Sequence, residues 1–131
     1  MKSIPDKYFL IVIFPRISMV IFLFCIILAM ILYPSGTYHN YDTNGYLFFE
    51  NFLSDLGRTL SHGNVNNFHS SLLFNMALTF GGLTYIIFYY TLNKIFNNSL
   101  SKSGSILGIF GAICLIGVAF TPANLYFDLH I

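Results

Sequence analysis

Apolar residues in this chain run together rather than alternate. The first long run, "ISMVIFLFCIILAMILY", covers Ile17–Tyr33 without a charge and stops at the turn signal Pro34-Ser35-Gly36. The second, "SLLFNMALTFGGLTYIIFYYTL", covers Ser71–Leu92, with Tyr85, Tyr89 and Tyr90 gathered toward its end. The third, "SILGIFGAICLIGVAF", closes at Thr121-Pro122 and is short enough to need a start near residue 103. A helix that spans a bilayer needs about 20 mostly apolar residues, so the pattern predicts three transmembrane helices, at residues 17–33, 71–92 and 103–120. Upstream of the first, "YFLIVIF" is apolar but is followed by Pro15-Arg16. Pro15-Arg16 is expected to interrupt it, leaving residues 8–14 as an interfacial lead-in or a tilted first turn, with Arg16 snorkelling to the head groups. The first run is longer than a signal-peptide core and no small-x-small site follows it, so a retained anchor is expected.

The polar remainder sorts into an outer loop at 34–70, a short loop at 93–102 and a tail at 121–131. Lys2, Lys7 and Arg16 precede the first span, and Lys94 and Lys102 lie in the short loop. The long loop holds one basic residue, Arg58, against Asp42, Glu50 and Asp55. The positive-inside rule puts the N-terminus and the short loop in the cytoplasm, and the long loop and the tail outside. A sequon-like Asn97-Asn98-Ser99 then falls on the cytoplasmic side and should carry no glycan. Within the long loop, Leu47, Phe48, Phe52, Leu53 and Leu56 recur at roughly helical spacing before Gly57. They predict a short interfacial helix lying on the outer membrane face.

Composition strengthens the membrane reading. Of 131 residues 56% are hydrophobic and 8% charged, where soluble domains carry roughly a quarter charged. The net charge of +1 offers no electrostatic footprint for nucleic acid. Cys25 and Cys114 both sit inside apolar runs, where cysteine acts as a small packing residue. In the third span Gly104, Gly108 and Ala112 form a stripe of small residues against which a helix can dock closely. Asn75, near the outer end of the second span, is expected to serve as interhelical glue.

Chemistry concentrates in "ENFLSDLGRTLSHGNVNNFH", residues 50–69, and in the tail. Asp55, His62, His69, Asp128 and His130 carry acid/base groups that the predicted topology puts on one leaflet. His62 and His69 are two helical turns apart, about 10 Å, too far for one metal on a straight helix. No His-x-x-x-His pair, serine-hydrolase elbow or phosphate-binding glycine loop occurs, and neither a metal nor a cofactor is expected. Asp55 has a structural use of equal weight: in Ser54-Asp55-Leu56-Gly57 a side-chain oxygen can fix a turn, or pair with Arg58.

The order of these motifs resembles a known family. "Asn51-Phe52-Leu53-Ser54-Asp55-Leu56-Gly57" in the outer loop, "Leu73-Phe74-Asn75" opening the second span, a glycine-rich third span, then Thr121-Pro122 and His130 resemble the prokaryotic multi-pass family termed domain of unknown function 998. They are more distantly similar to DRAM-type membrane proteins. The resemblance marks Asn51, Ser54, Asp55, Gly57, Asn75, Pro122 and His130, and implies no settled activity. It also implies about six spans, whereas this chain holds three. The expectation is therefore an all-α bundle that self-associates or pairs with a second three-span half, with the Gly104–Gly108–Ala112 stripe as the seam. The function expected is structural or lipid-interacting. The alternative is a membrane-embedded lipid hydrolase or transferase that uses Asp55 and His130. A transporter half is disfavoured, because no charge lies mid-span.

Overall fold

The computed structural model describes residues 7–96 and 98–126. The fold is all-α. Three helices are long and apolar enough to cross a membrane: Phe9–Leu32, Phe68–Phe96 and Ser99–Ala119, with mean hydropathies of 2.7, 1.6 and 1.8. The first consists of a π-helical turn, Phe9–Ile13, that runs directly into α1, Phe14–Leu32. Pro15 and Arg16 therefore do not interrupt it, contrary to the expected break, and residues 9–14 are the first turns of the helix and not a separate lead-in. Proline lacks an N–H and crowds the carbonyl one turn back. Here the wider π ladder, in which the Phe14 N–H reaches the Phe9 carbonyl, takes up that misfit inside a continuous helix.

The other two helices, α2 (Phe68–Phe96) and α3 (Ser99–Ala119), also outrun their apolar cores. Most of the loop expected at 93–102 is helical, since α2 runs to Phe96 and α3 starts at Ser99, and Lys94 and Lys102 ride on helices. Asn98 starts α3 as its N-cap: its side-chain oxygen accepts from the Ser101 N–H at 2.8 Å. Inside α2, Thr84 and Thr91 donate to the Phe80 and Ile87 carbonyls, both at 2.8 Å, so these hydroxyls are satisfied within their own helix.

The middle helix organises the bundle. In its apolar stretch 39% of residues are buried, against 11% for the first helix and 17% for the third. It packs on both neighbours, which hardly touch each other. Ile26, Ala29 and Tyr33 at the end of α1 meet Phe74, Ala77 and Leu78 of α2 and Ala119 of α3, and Leu56 of the outer loop completes this core. The best-packed part of the molecule is thus the end that carries the long loop. The outward sides of α1 and α3, with Val20, Phe24 and Ile31 and with Leu107 and Phe110, stay exposed. Apolar surface on that scale is what a lipid-facing helix presents.

The small-residue stripe is only partly consumed. A methyl group on Gly108 would enter the Tyr89 ring, and one on Gly82 would collide with Ile116 and the Ala112 carbonyl. Gly108 and Ala112 thus belong to the α2–α3 contact within the chain, while Gly104 meets nothing within 4 Å. Gly82→Val should cost about 1–3 kcal/mol by overpacking, read as a lower melting temperature in detergent. Gly104→Ala should leave that temperature unchanged or raise it; equal losses for both variants would contradict this packing.

Candidate functional site

Residues 33–67, between α1 and α2, fold into a compact cap without regular strands. Single antiparallel bridges pair Ser35 with Asn44 and Leu60 with Asn66, pinching off two small loops. The loops interlock where the Gly63 N–H donates to the Ser35 carbonyl at 3.3 Å. Gly36 has φ +86° and abuts Gly63, so a side chain there would be both strained and blocked.

The predicted interfacial helix takes the form of a five-residue 3-10 helix, Leu53–Gly57. Side chains decide this. Asn51 accepts from the Leu47 N–H at 2.9 Å, and the Asp55 carboxylate accepts from the Phe52 N–H at 2.9 Å. Both bonds offer the backbone an alternative to a continuous α-helix. As a result Leu56 turns into the core, while Phe48, Phe49, Phe52 and Leu53 stay exposed, Phe49 almost completely.

Asp55 is 3% exposed and sits at the centre of the cap. One carboxylate oxygen, Oδ2, accepts from the Phe52 N–H and, at 3.3 Å, from Asn51 Nδ2. The other, Oδ1, lies 3.0 Å from Nε2 of His62. The partner of Asp55 is therefore His62 and not Arg58, whose Nε instead donates to the Leu60 carbonyl at 3.1 Å. Asn51 also donates to the Gly36 carbonyl at 3.0 Å, joining the first loop to this network. The His62 N–H donates to the Tyr33 hydroxyl at 3.2 Å, which ties the cap to the end of α1. Asn67 ties it to α2: its amide donates to the carbonyls of Leu56 and Arg58 at 3.1 and 2.9 Å. The tail joins as well. Asn124 exchanges two hydrogen bonds with Thr59, at 3.0 and 2.7 Å.

Two phenols feel this environment. Burial pushes the Tyr33 hydroxyl above its ordinary value; the His62 N–H opposes the shift and the Asp55 charge adds to it. Tyr46 is raised in the same way, by burial first and then by Asp55.

The remaining candidates scatter. Ser54 is half-buried beside the pair, and Gly57 packs on Phe74, with Asn75 adjacent. Asn75 makes no side-chain hydrogen bond to another helix among the described residues. Pro122 turns the chain after α3, its carbonyl accepting from Leu125 and Tyr126. His69 is exposed in the first turn of α2, its ring edge-on to Phe68, away from Asp55. Asp128 and His130 lie outside the described residues. Among those described, no group of three His, Cys, Asp or Glu side chains could hold a metal ion.

The Asp55–His62 pair lines an open bowl of about 1200 Å³ on the cap, together with Tyr38, Tyr41, Asp42, Arg58 and Ala123 of the tail. The Tyr38 ring stands edge-on to His62 with centroids 6.1 Å apart. Asp55, His62 and Arg58 stand out in the sequence as site candidates, whereas Tyr33, Asn67 and the two bowl tyrosines do not. Asn67 had a readable signal, a helix-capping residue type just before Phe68. Tyr33 had none, being the last residue of an apolar run. Compared with protein-family models, curated proteins and solved structures, the chain gives no match.

Removing the central carboxylate strands several donors at once. Asp55→Ala should destabilise the chain by roughly 3 kcal/mol, and Tyr33→Phe, which orphans the His62 N–H, by roughly 1–3 kcal/mol. Both are readable in detergent melts, where a loss under about 0.5 kcal/mol for Asp55→Ala would deny it the central role. The folded state holds the Tyr33 and Tyr46 protons more tightly than the unfolded chain does. Their contribution is therefore complete below the ordinary tyrosine range and is lost as pH climbs above it. Tyr33→Phe should flatten the fall in stability above about pH 10.

Proposed function

We propose that this chain is an integral protein of the cell membrane with a structural, lipid-interacting role, its N-terminus in the cytoplasm and its cap at the outer interface. The observation that carries this reading is the division of labour within the cap. Its central polar side chains, Asn51, Asp55 and His62, are spent on one buried network, while Phe48, Phe49, Phe52 and Leu53 are left in the open. An autonomous soluble cap would bury such a cluster, whereas an interfacial one would keep it for lipid. The charge pattern supports the orientation: Lys7, Lys94 and Lys102 lie at the end away from the cap. We also propose kinship with the domain of unknown function 998 family, on the motif order through Asn51, Asp55 and Pro122. Pairing with a second copy or a second three-span half belongs to the same proposal.

The alternative is a lipid hydrolase or transferase, favoured by one observation: a carboxylate-oriented imidazole, Asp55–His62, on the wall of an open bowl. That arrangement suits a general base. It would predict turnover of phospholipid by the purified chain, lost in His62→Ala; its absence under varied lipid and metal conditions leaves the structural reading.

The chain contains no tryptophan, so Phe49→Trp supplies a single fluorescent reporter. In liposomes its emission should be blue-shifted and quenched by lipids brominated near the head group. Water-like emission that soluble quenchers reach and brominated lipids do not would refute the interfacial cap. In intact cells Asn64→Cys should react with an impermeant thiol reagent, and Lys102→Cys only after permeabilisation; the reverse pattern would invert the orientation.

A further inference from the structure

The bowl contains charges that the fold does not use. Arg58 engages only its Nε, so its two terminal guanidinium nitrogens have no partner among the described residues. The Asp42 carboxylate accepts no hydrogen bond and pairs with no cation among them either, although its backbone N–H is held by Asn40 at 3.0 Å. Both residues line the same bowl, and they do not pair with each other. Tyr38 and Tyr41, each 62% exposed, line it too. Asp55, the bowl's other carboxylate, is already committed to His62 and the Phe52 N–H.

A cavity that keeps one cation and one anion apart, with aromatic rings present, is complementary to a zwitterion. Guanidinium nitrogens match phosphate oxygens in a planar fork. A carboxylate with aromatic faces suits an ammonium group. Phe52 lines the bowl and also belongs to the exposed apolar tip, so it joins the polar cavity to the surface assigned to lipid. We propose that the bowl binds a phosphoethanolamine-type group carried on a phospholipid. Arg58 takes the phosphate, Asp42 with Tyr38 and Tyr41 takes the ammonium, and the glycerol end leaves over Phe52. This rests on the reading of the cap as lipid-facing, but it asks more of it, namely preference for one head group.

The test uses the full chain in detergent micelles. An acyl-labelled phosphatidylethanolamine is displaced by unlabelled phosphatidylethanolamine, by phosphatidylglycerol with the same acyl chains, or by water-soluble phosphoethanolamine. Phosphatidylethanolamine should displace the probe about tenfold better than phosphatidylglycerol, which offers the phosphate without the ammonium. Arg58→Gln should weaken both lipids about tenfold, with Arg58→Lys recovering part of the loss. Asp42→Asn should erase the preference while leaving phosphatidylglycerol binding intact. Because the Asp42 side chain has no partner to lose among the described residues, this variant stays informative even if Arg58→Gln misfolds. Equal displacement by the two lipids, or a preference that survives Asp42→Asn, would overturn the proposal. Displacement by free phosphoethanolamine as good as by the lipid would overturn the lipid as carrier. If the Phe49→Trp reporter is quenched by lipid while head-group preference is absent, the inference falls and the interfacial cap stands.

Discussion

A carboxylate removed from water must be met by donors or it unfolds its surroundings. Asp55 is that carboxylate here, and the outer segment is built to meet it. The donors arrive from different places: the Phe52 amide from the same turn, the Asn51 side chain from the preceding turn, and the His62 ring from the second loop. Each donor carries a further attachment. Asn51 holds Gly36, and His62 holds Tyr33. A segment with no sheet and one five-residue helix thereby acquires a defined shape. The order imposed on it has a cost in chain entropy. Leu56, fully buried in the bundle core next to Asp55, offsets part of that cost.

Below the cap the physics changes. Helices apolar enough to cross a membrane would gain no hydrophobic drive toward one another in lipid, so their contact would rest on shape. α2 has the shape for it: Gly82 lets α3 approach closely, and Gly81 faces Phe22 of α1. α1 and α3 contribute large apolar side chains on their outward sides, and their mutual contact is slight. The two regimes meet at Tyr33. Its ring packs against Tyr46 with centroids 5.8 Å apart, and its hydroxyl enters the polar network.

What the sequence made legible follows the same division. The three spans were readable because uncharged runs of that length have few other uses. Their ends were not, since Asn98 and Ser99 look like loop residues until their capping role is seen. The continuous first helix was hidden by Pro15, because local rules treat proline as a break and the π-turn that absorbs it leaves no mark in composition. In the outer loop the apolar spacing from Leu47 to Leu56 was real, but Asn51 and Asp55 within it bond to backbone and override the α-helical period. The site was half legible. Asp55 and His62 stood out by residue type, yet their pairing spans a turn and a reversal that no periodicity encodes. The tyrosines around the bowl were indistinguishable from the many others in the chain.

The hydrogen bonds between Thr59 and Asn124 join positions 65 apart, and Ala123 beside them edges the bowl. His62, which also lines the bowl, is tied through its backbone N–H to Tyr33 at the end of α1. The opening is thus slung between two helices that lean on a common neighbour and scarcely on one another. A change in the splay of those helices would therefore be carried straight to the residues that line it.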